Sequence, residues 1–342
     1  MPSLKNLVFI LTLCSGLLSI TLGSCGTGAS KVNSLAQDTT ISLEAREWSK
    51  KIDEYPNNLE YYVFRAEVLS KEDRHDLAIK DYLKILSIDS SKAEYCYNLG
   101  DAYFANDETT KALEFYERAT KVSPNDEEAN FKLGQFLYFV RQFERSGRIF
   151  GKLLQINPSN AEAHFIMAML SKENKDTSQA IQYFEKTINL LGSDYNSTMQ
   201  LAEIYQALNN AKEATKYYTM ATNIDAKSDE AFYARGLFYH QQNKFEKALN
   251  DYQTTIDLNA KHYYAYYNAG NILGALGKYQ RAIDHFEICL RLEPDFAKGY
   301  NRIAQCLELK GDIELAKRNY ERCLQIDPNF ALAKEGLSRL GI

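Results

Sequence analysis

The distribution of small and apolar residues repeats every 34 positions over most of the chain. Glycine or alanine returns at one position of each period, at Ala66, Gly100, Gly134, Ala168, Ala202, Gly236, Gly270 and Ala304. Later in each period a second small residue returns, at Ala78, Ala112, Ser146, Ala180, Ala214, Ala248, Ala282 and Ala316. A fixed period of about this length, without insertion or deletion, is typical of proteins built from stacked helical repeats.

Each period is predicted to form two antiparallel helices joined by a short turn. Small residues on both helices allow the two axes to approach to about 8 Å, the short end of the range for packed helices. A third position, aromatic in every period, then fills the space between neighbouring pairs: Tyr82, Tyr116, Phe150, Phe184, Tyr218, Tyr252, Phe286 and Tyr320. Proline stops the second helix at Pro124, Pro158, Pro294 and Pro328.

The turn inside most pairs carries a residue that tolerates a left-handed backbone. These residues are Asp73, Asp107, Asn209, Asn243, Gly277 and Gly311. Arg141 and Lys175 stand at the same place in two periods and depart from this pattern. The pattern therefore predicts the turn in six periods and leaves the other two open.

The period divides the chain into eight repeats between two shorter helical segments. We place the repeats at Leu59–Lys92, Ala93–Asp126, Glu127–Asn160, Ala161–Asp194, Tyr195–Ser228, Asp229–His262, Tyr263–Phe296 and Ala297–Phe330. Residues 42–56 are predicted to form an N-terminal capping helix. Residues 331–342 are predicted to form a C-terminal capping helix, apolar inside and charged outside.

The repeats resemble the tetratricopeptide repeat (TPR) family over about Leu43–Leu340. The resemblance implies an all-α fold, a TPR α-solenoid in which antiparallel helix pairs form a right-handed superhelix. It also implies a concave inner face formed by the first helix of each pair. In this family that face is a binding groove.

The N-terminal segment has the pattern of a secretory signal. Residues 1–24 hold one lysine and then a mostly apolar run, which ends in Leu22-Gly23-Ser24-Cys25. This ending resembles the lipobox of bacterial lipoproteins, which implies cleavage before Cys25 and lipidation of that cysteine; the alternative is a plain signal peptide. The small, polar residues that follow predict a lipidated flexible tether over 25–41. By resemblance, Gly26 favours an outer-membrane anchor with the folded part facing the periplasm, the cell surface being the other site considered.

Composition argues against nucleic acid as a partner and gives no sign of catalysis. The net charge is −5 and no basic stripe is present. The histidines share no ligand spacing, no Cys-x-x-Cys occurs, and no nucleophile motif is found. We therefore expect no enzyme activity, no metal and no cofactor. Cys96, Cys289, Cys306 and Cys323 stand at apolar or small repeat positions and are predicted to be buried free thiols.

Aromatic residues recur on the predicted concave face. By resemblance, positions 2, 5, 6, 9 and 12 of each first helix point there, and we select Tyr97, Asn98, Phe104, Phe131, Tyr138, Phe165, Tyr233 and Tyr267 as groove residues. One interpretation is an aromatic trough whose rings anchor an extended or helical peptide. The other is that these rings pack between helices. The sequence does not decide between them.

The last two repeats carry a polar, locally basic patch. It consists of Asn268, Asn271, Lys298, Asn301, Arg302 and Gln305. Asn268, Lys298 and Arg302 match three of the five positions of the carboxylate clamp of chaperone-binding TPR domains, whereas the other two positions hold Tyr233 and Leu237. The patch is predicted to bind an acidic group of a peptide or to be a solvated polar end.

Two repeats share a pair of charged residues that no other repeat has. Arg65 and Arg235 precede the first small residue of their repeats, and only those repeats hold an aspartate sixteen positions later, Asp81 and Asp251. We predict two partly buried, bidentate ion pairs within these repeats.

These features together favour a non-catalytic scaffold that binds protein or peptide partners in its groove. We expect a lipid-anchored protein that assembles a complex of the cell envelope. The alternative is an adaptor that recruits or regulates cell-wall enzymes.

Overall fold

A computed structural model of the chain describes residues 35–341, and in this range the protein is all-α without strands. The expected all-α fold is confirmed. After a short 3-10 helix at Leu35–Gln37, the helices are α1 Leu43–Glu54, α2 Leu59–Lys71, α3 His75–Ile88, α4 Ala93–Ala105, α5 Thr109–Val122, α6 Glu127–Phe139, α7 Phe143–Ile156, α8 Ala161–Glu173, α9 Thr177–Leu191, α10 Tyr195–Ala207, α11 Ala211–Ile224, α12 Asp229–Gln241, α13 Phe245–Leu258, α14 Tyr263–Ala275, α15 Tyr279–Leu292, α16 Ala297–Lys310, α17 Ile313–Ile326 and α18 Ala331–Arg339.

The described chain divides into two compact units, with the boundary between Lys186 and Thr187 inside α9. Described residues up to Lys186 form the N-terminal unit, whose main core is built from α1 to α6. Residues from Thr187 form the C-terminal unit, with a core of apolar side chains from α14 to α18. None of the described helices is long and apolar enough to cross a bilayer. The predicted signal segment 1–24 and Cys25 lie outside the described residues.

The first small residue of a repeat makes room for the aromatic ring of its own second helix. A Cβ atom added at Gly100 would lie 2.9 Å from the ring of Tyr116, and one added at Gly270 would lie 2.6 Å from the ring of Phe286. The rings also reach the next repeat, since Tyr116 lies 5.2 Å from Phe136 between ring centroids. The aromatic position therefore packs within its own pair as well as between neighbouring pairs.

All eight turns inside the helix pairs have a residue with positive φ. The φ values are 58° at Asp73, 60° at Asp107, 60° at Arg141, 61° at Lys175, 57° at Asn209, 56° at Asn243, 72° at Gly277 and 87° at Gly311. Arg141 and Lys175 thus adopt the same left-handed turn as the residues better suited to it. The packing of two helices at a fixed distance sets this turn even where the residue type disfavours it.

The segment before α1 differs from the predicted free tether in its last residues. Ile41 is 4% exposed within the core of the N-terminal unit, and Leu35 packs against the same core. The backbone N–H of Ser42 donates to Glu72 Oε2 at 3.1 Å, and Arg74 donates to Thr40 Oγ1 at 2.9 Å. Residues 35–41 are therefore held on the first repeat, because Leu35 and Ile41 supply apolar surface that the tether prediction overlooked.

The C-terminal helix α18 is held by a charged contact with α16. Arg339 donates to both carboxylate oxygens of Glu308, at 3.0 and 3.1 Å, and the Tyr320 hydroxyl donates to Glu308 Oε2 at 2.6 Å. These bonds hold the pKa of Glu308 below its usual value, with Arg339 as the main cause. Gly336 lies against the ring of Tyr320, where an added Cβ would be only 2.3 Å away.

Both predicted Arg–Asp pairs are confirmed and are bidentate. Arg65 donates to the two oxygens of Asp81 at 2.8 and 2.6 Å, and Arg235 donates to those of Asp251 at 2.8 and 2.7 Å. The aspartate side chains are 4% and 2% exposed.

Each of these guanidinium groups also reaches a hydroxyl on the preceding helix. Arg65 donates to Ser49 Oγ at 2.9 Å, and Arg235 donates to Thr222 Oγ1 at 2.8 Å. Each arginine thereby joins three helices, which explains how a charged pair is accommodated in the core.

Candidate functional site

The aromatic residues at the fifth position of the first helices pack inside the helix pairs. The ring centroids lie 5.8 Å apart for Phe131 and Phe150, 5.7 Å for Phe165 and Phe184, 6.0 Å for Tyr233 and Tyr252, and 5.8 Å for Tyr267 and Phe286. Phe165 is 6% exposed, and the half-buried Tyr97 packs against core residues. The structure therefore favours the packing interpretation for the fifth position. Asn98, the next residue after Tyr97, is half-buried on α4.

An aromatic cavity of about 450 Å³ opens on the first helices of the N-terminal unit. Its walls are six rings from α4 to α7: Phe104, Tyr116, Phe136, Tyr138, Phe139 and Phe143. Two of these, Phe104 and Tyr138, belong to the residues that the sequence selected. We call this site the aromatic cavity.

Phe104 meets two other rings of the cavity edge to face. Phe104 lies 5.4 Å from Phe136 at an interplanar angle of 82°, and 4.9 Å from Phe139 at 78°. Phe139 is 38% exposed although it is a large apolar side chain on α6. Edge-to-face contacts hold aromatic rings in defined orientations, so the cavity is formed before any partner arrives.

Three polar side chains of the lining, which we call the floor of the cavity, bond to one another. Asp101 accepts a hydrogen bond from the Tyr116 hydroxyl at 2.7 Å and an ion pair from Lys132 Nζ at 2.7 Å. Burial, and then the charge of Asp101, raises the pKa of Tyr116 far above its usual value, so this hydroxyl stays protonated and remains a donor. Both carboxylate oxygens of Asp101 are thus occupied.

Two charged residues at the edge of the cavity remain without an ion-pair partner among the described residues. Arg141 lies in the turn after α6, with its guanidinium 5.7 Å from the ring of Phe143. Glu173 is the last residue of α8. Both border the same cavity and act on the Tyr138 hydroxyl. Burial raises the pKa of this hydroxyl, the charge of Glu173 raises it further, and the charge of Arg141 lowers it.

The predicted polar patch of the C-terminal unit is only partly exposed. Asn268 donates to the Tyr233 hydroxyl at 3.0 Å, and Arg302 donates to Gln305 at 2.9 Å. Asn301 is 2% exposed, and within residues 35–341 neither its Oδ1 nor that of Asn271 has a hydrogen-bond partner. Lys298 and Arg302 are exposed, so two cations stand beside partly buried amides on α14 and α16.

The sequence missed the polar floor of the cavity although its positions were on the predicted face. Asp101 and Lys132 stand at positions 9 and 6 of their helices, which the resemblance places in the groove. Selecting positions by aromatic character passed over them. A comparison of the charges at those positions between adjacent repeats would have found the pair.

The described residues contain no group of histidine, cysteine, aspartate or glutamate side chains arranged to hold a metal ion. The four predicted buried cysteines are buried and free. Burial raises the pKa of each thiol, to about 12 for Cys289 and about 11 for Cys323. These thiols are core side chains rather than nucleophiles.

Family models match the repeats over most of the chain. A model described as the TPR domain of cytochrome c-type biogenesis protein H matches residues 47–198. One tetratricopeptide repeat model matches residues 196–228 and 229–262. A second tetratricopeptide repeat model matches residues 263–296 and 297–330. No curated protein is significantly similar to the chain.

Solved structures with this fold are similar to the chain at low sequence identity. The C-terminal part of a TPR repeat-containing protein from Cytophaga hutchinsonii has 16% identity and a TM-score of 0.63, covering 70% of this chain and 99% of that chain. PilF of Pseudomonas aeruginosa has 16% identity and a TM-score of 0.50, covering 62% and 97%. YrrB, a TPR protein with an unusual peptide-binding site, has 20% identity and a TM-score of 0.49, covering 55% and 97%.

Proposed function

Because the chain consists of tetratricopeptide repeats, we propose that it is a non-catalytic scaffold that binds protein or peptide segments on its first helices. The observation that carries this proposal is the aromatic cavity, whose rings include the 38% exposed Phe139. A contiguous cluster of apolar side chains open to solvent is typical of an interaction site, and aromatic anchors in preformed pockets dominate the binding energy of interfaces.

We further propose that the scaffold works in the assembly of an envelope complex. Residues 47–198 match a domain named for a protein of cytochrome c biogenesis, which supports an assembly role. In this proposal Cys25 carries the lipid, and the folded part faces the periplasm from the outer membrane. A cysteine with more than one acyl chain gives stable anchoring, since each buried methylene contributes about 0.8 kcal/mol.

The binding proposal is tested by crosslinking and quantitative recovery of partners from intact membranes. Phe104→Ser combined with Phe139→Ser is compared with Leu276→Ser, which changes an exposed apolar residue of the C-terminal unit. We expect partners recovered by the native chain and the control to be lost from the cavity variant. Recovery of the same partners by all three chains overturns the proposal. If the lost partners are cell-wall enzymes, the adaptor function is favoured.

The anchor is tested by incorporation of labelled palmitate in cells. Cys25→Ala is expected to abolish the label, whereas Cys14→Ala, inside the predicted signal segment, retains it. Label that persists in the Cys25→Ala chain contradicts the lipid anchor.

A further inference from the structure

We infer that the aromatic cavity recognises one large apolar side chain of a partner segment, with an acidic residue on one side of it and a basic residue on the other. The inference rests on the proposed binding function and names the chemistry of its partner. The walls, the floor and the edge of the cavity each support it.

The walls fit an apolar anchor rather than a polar group. The volume of about 450 Å³ lies within the range of about 300–1,000 Å³ that is usual for binding pockets. Phe104, Phe136 and Phe139 present ring edges and faces to it, an arrangement that an incoming aromatic or large aliphatic side chain continues. Ile166 adds an aliphatic surface to the lining.

The polar groups of the floor need no ligand atom to complete their hydrogen bonds. Asp101 Oδ1 is bonded to the Tyr116 hydroxyl and Asp101 Oδ2 to Lys132 Nζ, both at 2.7 Å. A ligand donor at either oxygen would compete with an existing bond, one of which comes from the buried Tyr116 hydroxyl, so this part of the lining favours an apolar group over a polar one. The end of the anchoring side chain is therefore apolar.

The edge supplies opposite charges from two successive repeats. Arg141 follows α6 and Glu173 ends α8, and no ion-pair partner of either lies among the described residues. A partner segment that runs across repeats meets these charges one after the other. An acidic residue beside Arg141 and a basic residue beside Glu173 complement them, whereas the reverse order places like charges together.

The inference is tested with a displayed library of random seven-residue peptides, selected on the immobilised full-length chain. We expect enriched peptides to share one Phe, Trp, Leu or Met, with an acidic and a basic residue on opposite sides in a constant order. Synthetic peptides from this set are then measured by fluorescence anisotropy. Phe104→Ser is expected to weaken their binding at least tenfold.

The decisive variant is the charge exchange Arg141→Glu with Glu173→Lys. Both residues are exposed, so the exchange leaves the core intact even if Phe104→Ser impairs folding. We expect the selected peptides to reverse the order of their acidic and basic residues. The matched control exchanges two exposed charges of the same repeats that do not border the cavity, Glu144→Lys with Lys175→Glu, and is expected to leave the order unchanged.

Each other outcome has a distinct meaning. Peptides enriched without a large apolar residue, or with an order that ignores the charge exchange, overturn the inference and leave the binding function standing. Enrichment of no peptide above background overturns the binding function as well. Competition by free phenylalanine amide as strong as that by the peptides assigns the cavity to a small molecule and overturns the inference.

Discussion

At the scale of the residue, the left-handed turns show what the repeat imposes on its amino acids. Lys175 has φ 61°, and Gly277 has φ 72° at the same repeat position. A left-handed backbone costs a residue such as lysine or arginine about 1–2 kcal/mol relative to the right-handed form, and costs asparagine or aspartate less. The packing of the helix pair therefore bears this cost in two of the eight repeats.

Lys175→Gly is expected to stabilise the chain by about 1 kcal/mol, since glycine adopts this backbone without strain. The converse substitution, Gly277→Ala, places a Cβ atom in open space, so its expected destabilisation comes from the backbone alone. Urea denaturation measures both. A neutral or destabilising Lys175→Gly would show that the turn at this repeat is not strained.

The buried ion pairs give a second expectation at this scale. Asp251→Ala leaves the guanidinium of Arg235 buried without its carboxylate and is expected to cost about 3 kcal/mol. Replacing both residues, with Arg235→Met and Asp251→Leu, is expected to recover most of that loss because no charge remains to be paired. Denaturation midpoints of the single and double variants decide this. An Asp251→Ala chain as stable as the native one refutes the structural role of the pair.

At the scale of the element, the contact between a small residue and a ring sets the distance between the two helices of a pair. Phe286 is 1% exposed and its ring would lie 2.6 Å from a Cβ atom at residue 270. The same helix, α14, holds a second glycine, Gly274, whose added Cβ would have ordinary contacts at 3.6 and 3.8 Å. Substitution of the two glycines therefore distinguishes the steric effect of a Cβ atom from the effect of alanine on helix propensity.

Gly270→Ala is expected to destabilise the chain by about 1–3 kcal/mol because the Phe286 ring has no room to move. Gly274→Ala, the matched control, is expected to be neutral or to stabilise by up to about 1 kcal/mol. Thermal unfolding followed by circular dichroism compares them. Equal effects of the two substitutions would show that the close approach is unimportant.

The attachment of α18 is expected to depend on pH. The pKa of Glu308 is lowered by Arg339 and Tyr320, so its contribution is full above the unfolded pKa of about 4.3 and is lost as pH falls through the lower folded value. Hydrogen exchange of the α18 amides, corrected for the intrinsic rate, measures this release. The Glu308→Gln chain lacks the titrating group, and we expect its α18 protection to show no such transition.

The sequence predicted the helix pairs well because their determinants are local and repeated. Small residues, turn residues and prolines recur at fixed spacing, and the first helix of each pair begins at the first residue of its repeat. The site was predicted less well. Whether Phe131 lines a groove or packs depends on Phe150 of another helix, and the contact of Asp101 with Lys132 joins two repeats. A pattern read one repeat at a time does not contain such relations.

At the scale of the whole molecule, the thiols report on the integrity of each unit. Cys96 lies in the N-terminal unit, and Cys289, Cys306 and Cys323 lie in the C-terminal unit, all buried. With Cys14 and Cys25 replaced by serine, we expect no rapid reaction with a disulfide reagent at pH 8. The thiolate fraction is small at this pH because burial raises the four pKa values.

Mass spectrometry of the labelled chain at increasing urea concentrations then shows at which concentration the thiols of each unit become reactive. Four thiols that react rapidly without denaturant would contradict the buried positions. Cys96→Ala is the control that identifies the signal of the N-terminal unit.

The two Arg–Asp pairs have a consequence for how the chain finds its native register. A protein whose units share the same packing positions risks a fold in which the helices pair one repeat out of step. Shifted by one repeat, Arg235 would face Tyr217 or His285 in place of Asp251, and its charge would be buried without a carboxylate. Each compact unit contains one such pair, with Arg65 in the first and Arg235 in the second. The pairs therefore raise the free energy of misaligned folds, in which each arginine would be buried without its carboxylate.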